Sequence, residues 1–390
     1  MSERVGIEVS MAAAEAVGRA NVDVIPAYPI TPQTHIVEHI AELVADGRLD
    51  AEYVPVESEH SAISAAVGAA AAGARTFTST ASQGLALMHE ILFAASSMRL
   101  PIVMAVANRA ISIPINIWAD HSDIMPERDT GWVQLFAENG QDVFDLIIQA
   151  YRLAEDHRVL LPVIVNMDGF SLSHVIEPVI LLDREEVDAF LPPIRPGRTL
   201  DPQKPRTMGA FGSPNVYTEV KKQQEDALIR ASAVLEDIWR EFETRFGRRY
   251  RAVETHKTDD AEIILVAMGS IAETAMTAVD EMREEGIRVG LARIRLWRPF
   301  PFEALFKALK GARVVTVLDR MLSPGGHGGP VGTELRSAYY QQEEKPLILD
   351  FIAGLGGRDI SRETFRELVK RSLDGEPQSD FYSLLDVRVS

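Results

Sequence analysis

The stretch VDVIPAYPITPQTHIVEHIAELVA, from Val22 to Ala45, decides the fold. Val22–Ala27 is a short β-rich run, Pro29-Ile-Thr-Pro32 punctuates it, and from Thr34 the apolar residues Ile36, Val37, Ile40, Leu43 and Val44 recur at helical spacing. The alternation continues outward. Tyr53–Val56 predicts a strand followed by a helix from about Glu59 to Ala72, and Thr76–Thr80 a strand followed by a helix over Gln83–Ser97. Strands over Ile102–Ala107 and Leu160–Asn166 flank a helix at Val143–Ala154. Strands alternating with helices of this length predict an α/β domain over residues 1–182, its largely parallel sheet covered on both faces.

Residues 183–258 differ in character. Leu191-Pro-Pro-Ile-Arg-Pro-Gly197, Asp201-Pro202, Pro205 and Gly212-Ser-Pro214 form a proline-rich segment that yields to a long polar helix, Tyr217–Arg245. That pattern predicts an embracing linker rather than a core. Over 259–390 the alternation starts afresh, with strands at Ile263–Ala267, Val289–Arg295, Val314–Leu318 and Leu347–Ile352. Helices are expected at Ala272–Glu285, Pro301–Leu309 and around Gly332–Tyr340, which makes a second α/β domain.

The 390 residues carry 57 acidic against 40 basic side chains, a formal net charge of −17, and no cysteine. The missing thiols exclude disulfides, zinc–thiolate sites, thiol nucleophiles and cysteine-ligated iron–sulfur clusters within the chain. The acidic balance argues against a nucleic-acid backbone or an anionic membrane as partner, and serves solubility. No stretch reaches the roughly 18 apolar residues of a membrane span, and the N-terminus lacks the apolar core of a secretory signal, so a cytoplasmic location is expected.

Several places have residues capable of chemistry. Gly325-Gly-His-Gly-Gly329 lacks the Lys-Ser/Thr of a P-loop and the spacing of a Rossmann turn, so it predicts a tight loop rather than a nucleotide site. Asp120-His-Ser-Asp123 offers either metal ligands or a turn. Glu57 and Glu59 flank Ser58 at a strand-to-helix junction, where acidic side chains favour the helix dipole; taken alone they predict capping. The nearly bulk-free run Ala65–Ala74 predicts close packing against a neighbouring helix or across a subunit contact. Arg109 follows the end of a strand, at the edge where open α/β sheets bind ligands. Thr31, Glu59, Ser82-Gln-Gly84 and Arg109 all fall at or just after the carboxyl ends of the first four predicted strands, so one crevice could contain them.

The motifs Tyr28-Pro-Ile-Thr-Pro32, Glu57-Ser-Glu-His-Ser61, Thr80-Ala-Ser-Gln-Gly84, Asn108-Arg-Ala110, Asp120-His-Ser-Asp123 and Asp168-Gly-Phe170 stand in the order and spacing of the 2-oxoacid:ferredoxin oxidoreductases. Over nearly its whole length the chain resembles the alpha subunit of the multisubunit pyruvate:ferredoxin oxidoreductases, including Leu200-Asp-Pro202, Met208-Gly209 and Gly354-Leu-Gly-Gly-Arg-Asp359. The resemblance implies a thiamine-diphosphate pyrimidine-binding domain followed by a transketolase C-terminal-like domain. It implies Glu59 as the carboxylate at N1′ of the aminopyrimidine, Thr31 and Arg109 as substrate contacts, and Pro29, Ile30, Ser82, Gln83 and Gly84 as further cofactor contacts, with no metal ligand in this chain. Thiamine enzymes usually bind the diphosphate and Mg2+ through a GDG motif, which this sequence lacks. The cofactor would therefore be shared with a beta subunit, and Mg2+ and [4Fe-4S] clusters would reside in beta-, gamma- and delta-type partners. The implied reaction is oxidative decarboxylation of a 2-oxoacid with CoA and ferredoxin or another acceptor. Pyruvate is the expected substrate, and an aryl 2-oxoacid such as phenylglyoxylate or a branched-chain 2-oxoacid is the alternative. A non-catalytic scaffold subunit is the reading from another class, and retention of Glu59 argues against it.

Overall fold

The computed structural model describes residues 3–194, 197–374 and 381–388, so Arg195 and Pro196 of the proline-rich segment lie outside the described residues. The first half runs β1 (Glu3–Glu8), α1 (Val9–Arg19), β2 (Val24–Ala27), α2 (Thr34–Ala45), β3 (Glu52–Pro55), α3 (Glu59–Ala72), β4 (Thr76–Thr80), α4 (Ser82–Ser97), β5 (Ile102–Asn108), β6 (Val133–Phe136), α5 (Gly140–Ala154), β7 (Val163–Asp168), β8 (Ile176–Leu181) and α6 (Arg184–Phe190). After α7 (Pro214–Phe246) come β9 (Val253–His256), β10 (Ile263–Met268), α8 (Ile271–Glu284), β11 (Val289–Ile294), β12 (Leu296–Arg298), α9 (Phe302–Ala308), β13 (Val314–Asp319), α10 (Pro330–Tyr339), β14 (Leu347–Ile352), α11 (Arg362–Leu373) and β15 (Ser383–Leu384). Among the described residues no helix is long and apolar enough to cross a membrane.

Seven strands form the first sheet in the order β12-β6-β7-β5-β4-β2-β3, and six form the second, β15-β14-β13-β10-β11-β9. Both are parallel except where β12 meets β6 and β9 meets β11. Side chains alternate across each strand, so β5 sends Val103, Ala105 and Ala107 into one core and Ile102, Met104 and Val106 into another. The first of these cores lies under α1, α5 and α7. The second is shared: Ile264 and Val266 of β10 join Leu85, Met88 and Leu92 of α4 in it, which glues the two sheets together. The opposite face of β10, with Ile263 and Leu265, packs on α8 and α11.

Three features depart from the sequence reading. β1 and β8 form an additional antiparallel pair, with Glu8 opposite Ile176. β12, from the second half of the chain, completes the first sheet by pairing Leu296 with Leu135. The second half of α7 is core rather than strap: Ala227, Ala231, Val234, Leu235, Ile238, Trp239 and Phe242 recur on one face and are buried, while residues such as Val220 and Ile229 point outward. Gly247, at φ 70°, ends that helix in the left-handed conformation glycine favours.

The two sheets are also pinned by charge. Asp168, at the end of β7, is buried and lies 2.7 Å from Arg320 Nη1 and 3.1 Å from His121 Nε2, and its Oδ2 accepts from Ser270 N at 2.8 Å. Burial opposes ionisation of this carboxyl, yet Arg320 and the His121 and Ser270 contacts hold it well below the usual carboxylate range. Nearby, Arg295 is buried among Asp142, Glu138 and Glu254, a second charged clamp between the halves.

Trp239 is fully buried and donates Nε1–H to Gln149 Oε1 at 2.9 Å. Trp239→Ala is expected to lower unfolding free energy by about 3–5 kcal/mol in denaturant titrations. Ile229→Ala, on the outward face of the same helix, should stay within about 0.5 kcal/mol of the unmodified chain.

Candidate functional site

The carboxyl edge of the first sheet gathers the residues that the sequence placed there. α3 begins at Glu59 because Ser58 caps it, its Oγ accepting from Ser61 N at 3.2 Å. It ends at Gly73, whose φ of 103° favours glycine. Glu59 is 7% exposed, and no hydrogen bond joins its carboxylate to another described residue. A Cβ on Gly84 would lie 2.6 Å from Glu59 Oε1 and closer still to Thr80 Oγ1, so position 84 must be glycine for that carboxylate to keep its place. Thr80 Oγ1 is itself buried without a hydrogen-bond partner among the described residues. An unpartnered carboxylate beside an orphaned hydroxyl and a side-chain-free cradle fits a polar heterocycle such as an aminopyrimidine.

Arg109 is 6% exposed and forms no ion pair with a carboxylate among the described residues. Its Nη1 donates to Thr31 O at 2.8 Å and its Nε to Asn116 O at 2.9 Å, so two carbonyls aim the guanidinium while Nη2 makes no hydrogen bond among the described residues. Burial pulls its pKa down from the ordinary arginine value, with the Asp123 charge acting the other way. Thr31 is exposed, and its carbonyl makes this contact. The turn holding Pro29 and Ile30 is fixed by Gln33, whose N–H donates to Ile30 O and whose Oε1 accepts from Ser79 Oγ, both at 2.9 Å.

The turn from β4 into α4 and the turn after β5 are joined by Asp123, a residue whose role the sequence did not disclose. Its Oδ2 accepts from Ser82 N and Arg109 N, both at 2.9 Å, and its Oδ1 from Asn108 Nδ2 at 3.1 Å. Ser82 sits at φ 48°, a left-handed conformation that a non-glycine residue keeps only where its surroundings impose it. Gln83 reaches Ser112 Oγ, which ties the same turn to the loop beyond Arg109. The rest of the Asp120–Asp123 motif is likewise committed to protein. Asp120 accepts from Ser122 N and Gly356 N, and His121 meets Asp168. The motif is therefore a brace between the sheets, and its ligating atoms are engaged as a turn.

Complete burial pushes the Asp123 carboxyl up to about 7, against the three hydrogen bonds that favour its charge. Because the folded state binds this proton more tightly than the unfolded chain, the contribution of Asp123 to stability is fully present below the ordinary aspartate value and is lost as pH rises through about 7. Asp123→Asn is expected to flatten that decline when urea midpoints are compared between pH 4 and 8.

Residues 15–239 match the family described as pyruvate flavodoxin/ferredoxin oxidoreductase, thiamine-diphosphate-binding, and residues 261–365 match the pyruvate:ferredoxin oxidoreductase core domain II. Pyruvate synthase subunit PorA of Pyrococcus horikoshii is 52% identical over 93% of this chain and 91% of its own. The PorA subunit of Methanocaldococcus jannaschii is 51% identical over 95% of each chain. Ketoisovalerate oxidoreductase subunit VorA of Pyrococcus horikoshii is 46% identical over 90% of this chain and 89% of its own. A chain of the 2-oxoglutarate:ferredoxin oxidoreductase of Magnetococcus marinus, solved with 2-oxoglutarate, coenzyme A and succinyl-CoA bound, shares the fold at TM-score 0.75 and 19% identity. That likeness covers 95% of this chain and 65% of the other. On sequence and architecture together, the chain belongs to the pyruvate:ferredoxin oxidoreductase family.

Proposed function

We propose that this chain is the cytoplasmic alpha subunit of a thiamine-diphosphate-dependent 2-oxoacid:ferredoxin oxidoreductase whose substrate is pyruvate. The observation that carries the reading is the Glu59 carboxylate, nearly buried, unpartnered among the described residues and kept clear by Gly84. Glu59 would hold a proton against N1′ of the aminopyrimidine, and Pro29, Ile30, Ser82, Gln83 and Gly84 would complete the contacts to that ring. When bound, thiamine diphosphate supplies a nucleophilic carbon for the 2-oxoacid carbonyl and a sink for the electron pair left when CO2 departs. Arg109 would take the substrate carboxylate through the N–H groups not spent on Thr31 and Asn116, in a setting where burial strengthens the attraction. The exposed Thr31 hydroxyl would add a donor at the rim.

The remaining parts belong to partners. Without cysteine or a GDG motif this chain would leave the diphosphate, Mg2+ and the [4Fe-4S] clusters to beta-, gamma- and delta-type subunits. Those clusters would supply one-electron acceptors leading to ferredoxin or another acceptor, and CoA would supply the thiol that takes the acyl group. Surface chemistry supports a covered site: Ile113 is 94% exposed and Ile115 79%, on the loop that begins at Arg109, and α4 exposes Leu87 and Phe93. Relatives named pyruvate synthase subunits, at 52% and 51% identity, support pyruvate. The relative named for ketoisovalerate, at 46%, supports a branched-chain 2-oxoacid as the second reading.

In the complex copurified with its partners, Glu59→Ala is expected to abolish 2-oxoacid-dependent dye reduction while assembly survives on gel filtration. Turnover near that of the unmodified complex would remove Glu59 from the chemistry. Arg109→Ala should lower kcat/KM by the equivalent of about 2–5 kcal/mol, mainly through KM, as expected for a desolvated charge pair. A panel of pyruvate, 2-oxoisovalerate and phenylglyoxylate with CoA decides the substrate.

A further inference from the structure

Three side chains with metal-binding atoms converge from separate elements behind the turn that holds Thr31. Glu8 closes β1, His35 lies in the first turn of α2, and His174 lies between β7 and β8. The antiparallel register of β1 and β8, with Glu8 opposite Ile176, brings the first and third together. Glu8 Oε1 is 2.7 Å from His35 Nδ1, and the His35 and His174 rings are 4.6 Å apart. One donor atom from each of the three lies within 4.8 Å of the others.

We propose that Glu8, His35 and His174 bind a divalent transition-metal ion of the zinc class. Two imidazoles and a carboxylate are a ligand set that zinc accepts, with a fourth position left for water. Donor atoms at tetrahedral distance from zinc lie roughly 3.4 Å apart, so side-chain adjustment of about 1 Å closes the cluster. The side chains of His35 and Glu8 are 40% and 17% exposed, which leaves the ion a way in from solvent. His174 also has the outer contact that metal-binding histidines use: Ser173 Oγ lies 2.7 Å from its Nδ1, and donation of Nδ1–H to that hydroxyl leaves Nε2 with the lone pair for a metal.

The location gives the ion a mechanical consequence. His35 follows the Thr31 turn within a few residues. On the other side, His174 stacks on Phe170 with centroids 4.4 Å apart, and Phe170 on Trp118 at 4.7 Å. Trp118 belongs to the loop that holds Arg109 through Asn116. A bound ion therefore braces both segments assigned to the substrate, although the site stands independently of that assignment.

The test uses the full-length chain, freed of metal with a chelator and titrated with Zn2+ by calorimetry. One ion per chain is expected, with binding weakened at least 100-fold in the His35→Ala/His174→Ala double variant. Ser173→Ala, which keeps all three ligands, should weaken binding about 10- to 100-fold without loss of stoichiometry. Co2+ added to the unmodified chain should give the intense visible absorption of a tetrahedral nitrogen–oxygen site, and this reading does not depend on any variant folding. Zn2+ uptake equal in the unmodified chain and the double variant, no uptake at all, or a purely octahedral Co2+ spectrum would each overturn the proposal.

Discussion

Asp168 is the point on which the molecule turns. It ends β7, and on its buried carboxylate converge Arg320 and Ser270 from the second half of the chain and His121 from the motif behind the candidate site. Removing four such groups from water is costly, and the cost is met only while all of them meet each other. His121 lies two residues from Asp123, which holds the turns bearing Ser82 and Arg109. The geometry around Arg109 is thus set by a charge cluster that belongs to both sheets, and neither half could keep it alone.

That dependence explains why the site looks unfinished and yet is rigidly built. Glu59 and Arg109 are each held in place while keeping part of their hydrogen-bonding capacity unspent among the described residues. Leaving buried polar groups unsatisfied is expensive, so such capacity persists where a ligand regularly takes it up. The exposed isoleucines beside the site have the same logic on the apolar side: surface that costs solubility is tolerated where another chain covers it.

Much of this was legible from local signals. The reading of β4 as Thr76–Thr80 agrees with the structure, and that of α3 as about Glu59 to Ala72 falls on the observed helix, whose start Ser58 marks chemically. Thr31, Glu59, Gly84 and Arg109 could be placed at one edge because parallel strands put their carboxyl ends together. What stayed hidden depends on partners far away in sequence. The hydrogen bonds of Asp123 span 14 and 41 residues, and the contact between Asp168 and Ser270 spans 102. The composition of α7 reads as a strap because its outward face dominates it, and only the spacing of Val234, Leu235, Ile238, Trp239 and Phe242 betrays the buried side.

The placement of β12 has a consequence for biosynthesis. β6 forms one margin of the first sheet, and the segment that pairs with its open side, Leu296–Arg298, emerges from the ribosome some 160 residues later. Until then the nascent sheet exposes a bare hydrogen-bonding edge, the kind of surface that recruits stray strands. The topology therefore couples completion of the first sheet to arrival of the second, and gives the chain a high contact order despite its locally encoded helices. A fragment ending after α7 would resemble a natural unit in sequence while leaving an unguarded margin in space.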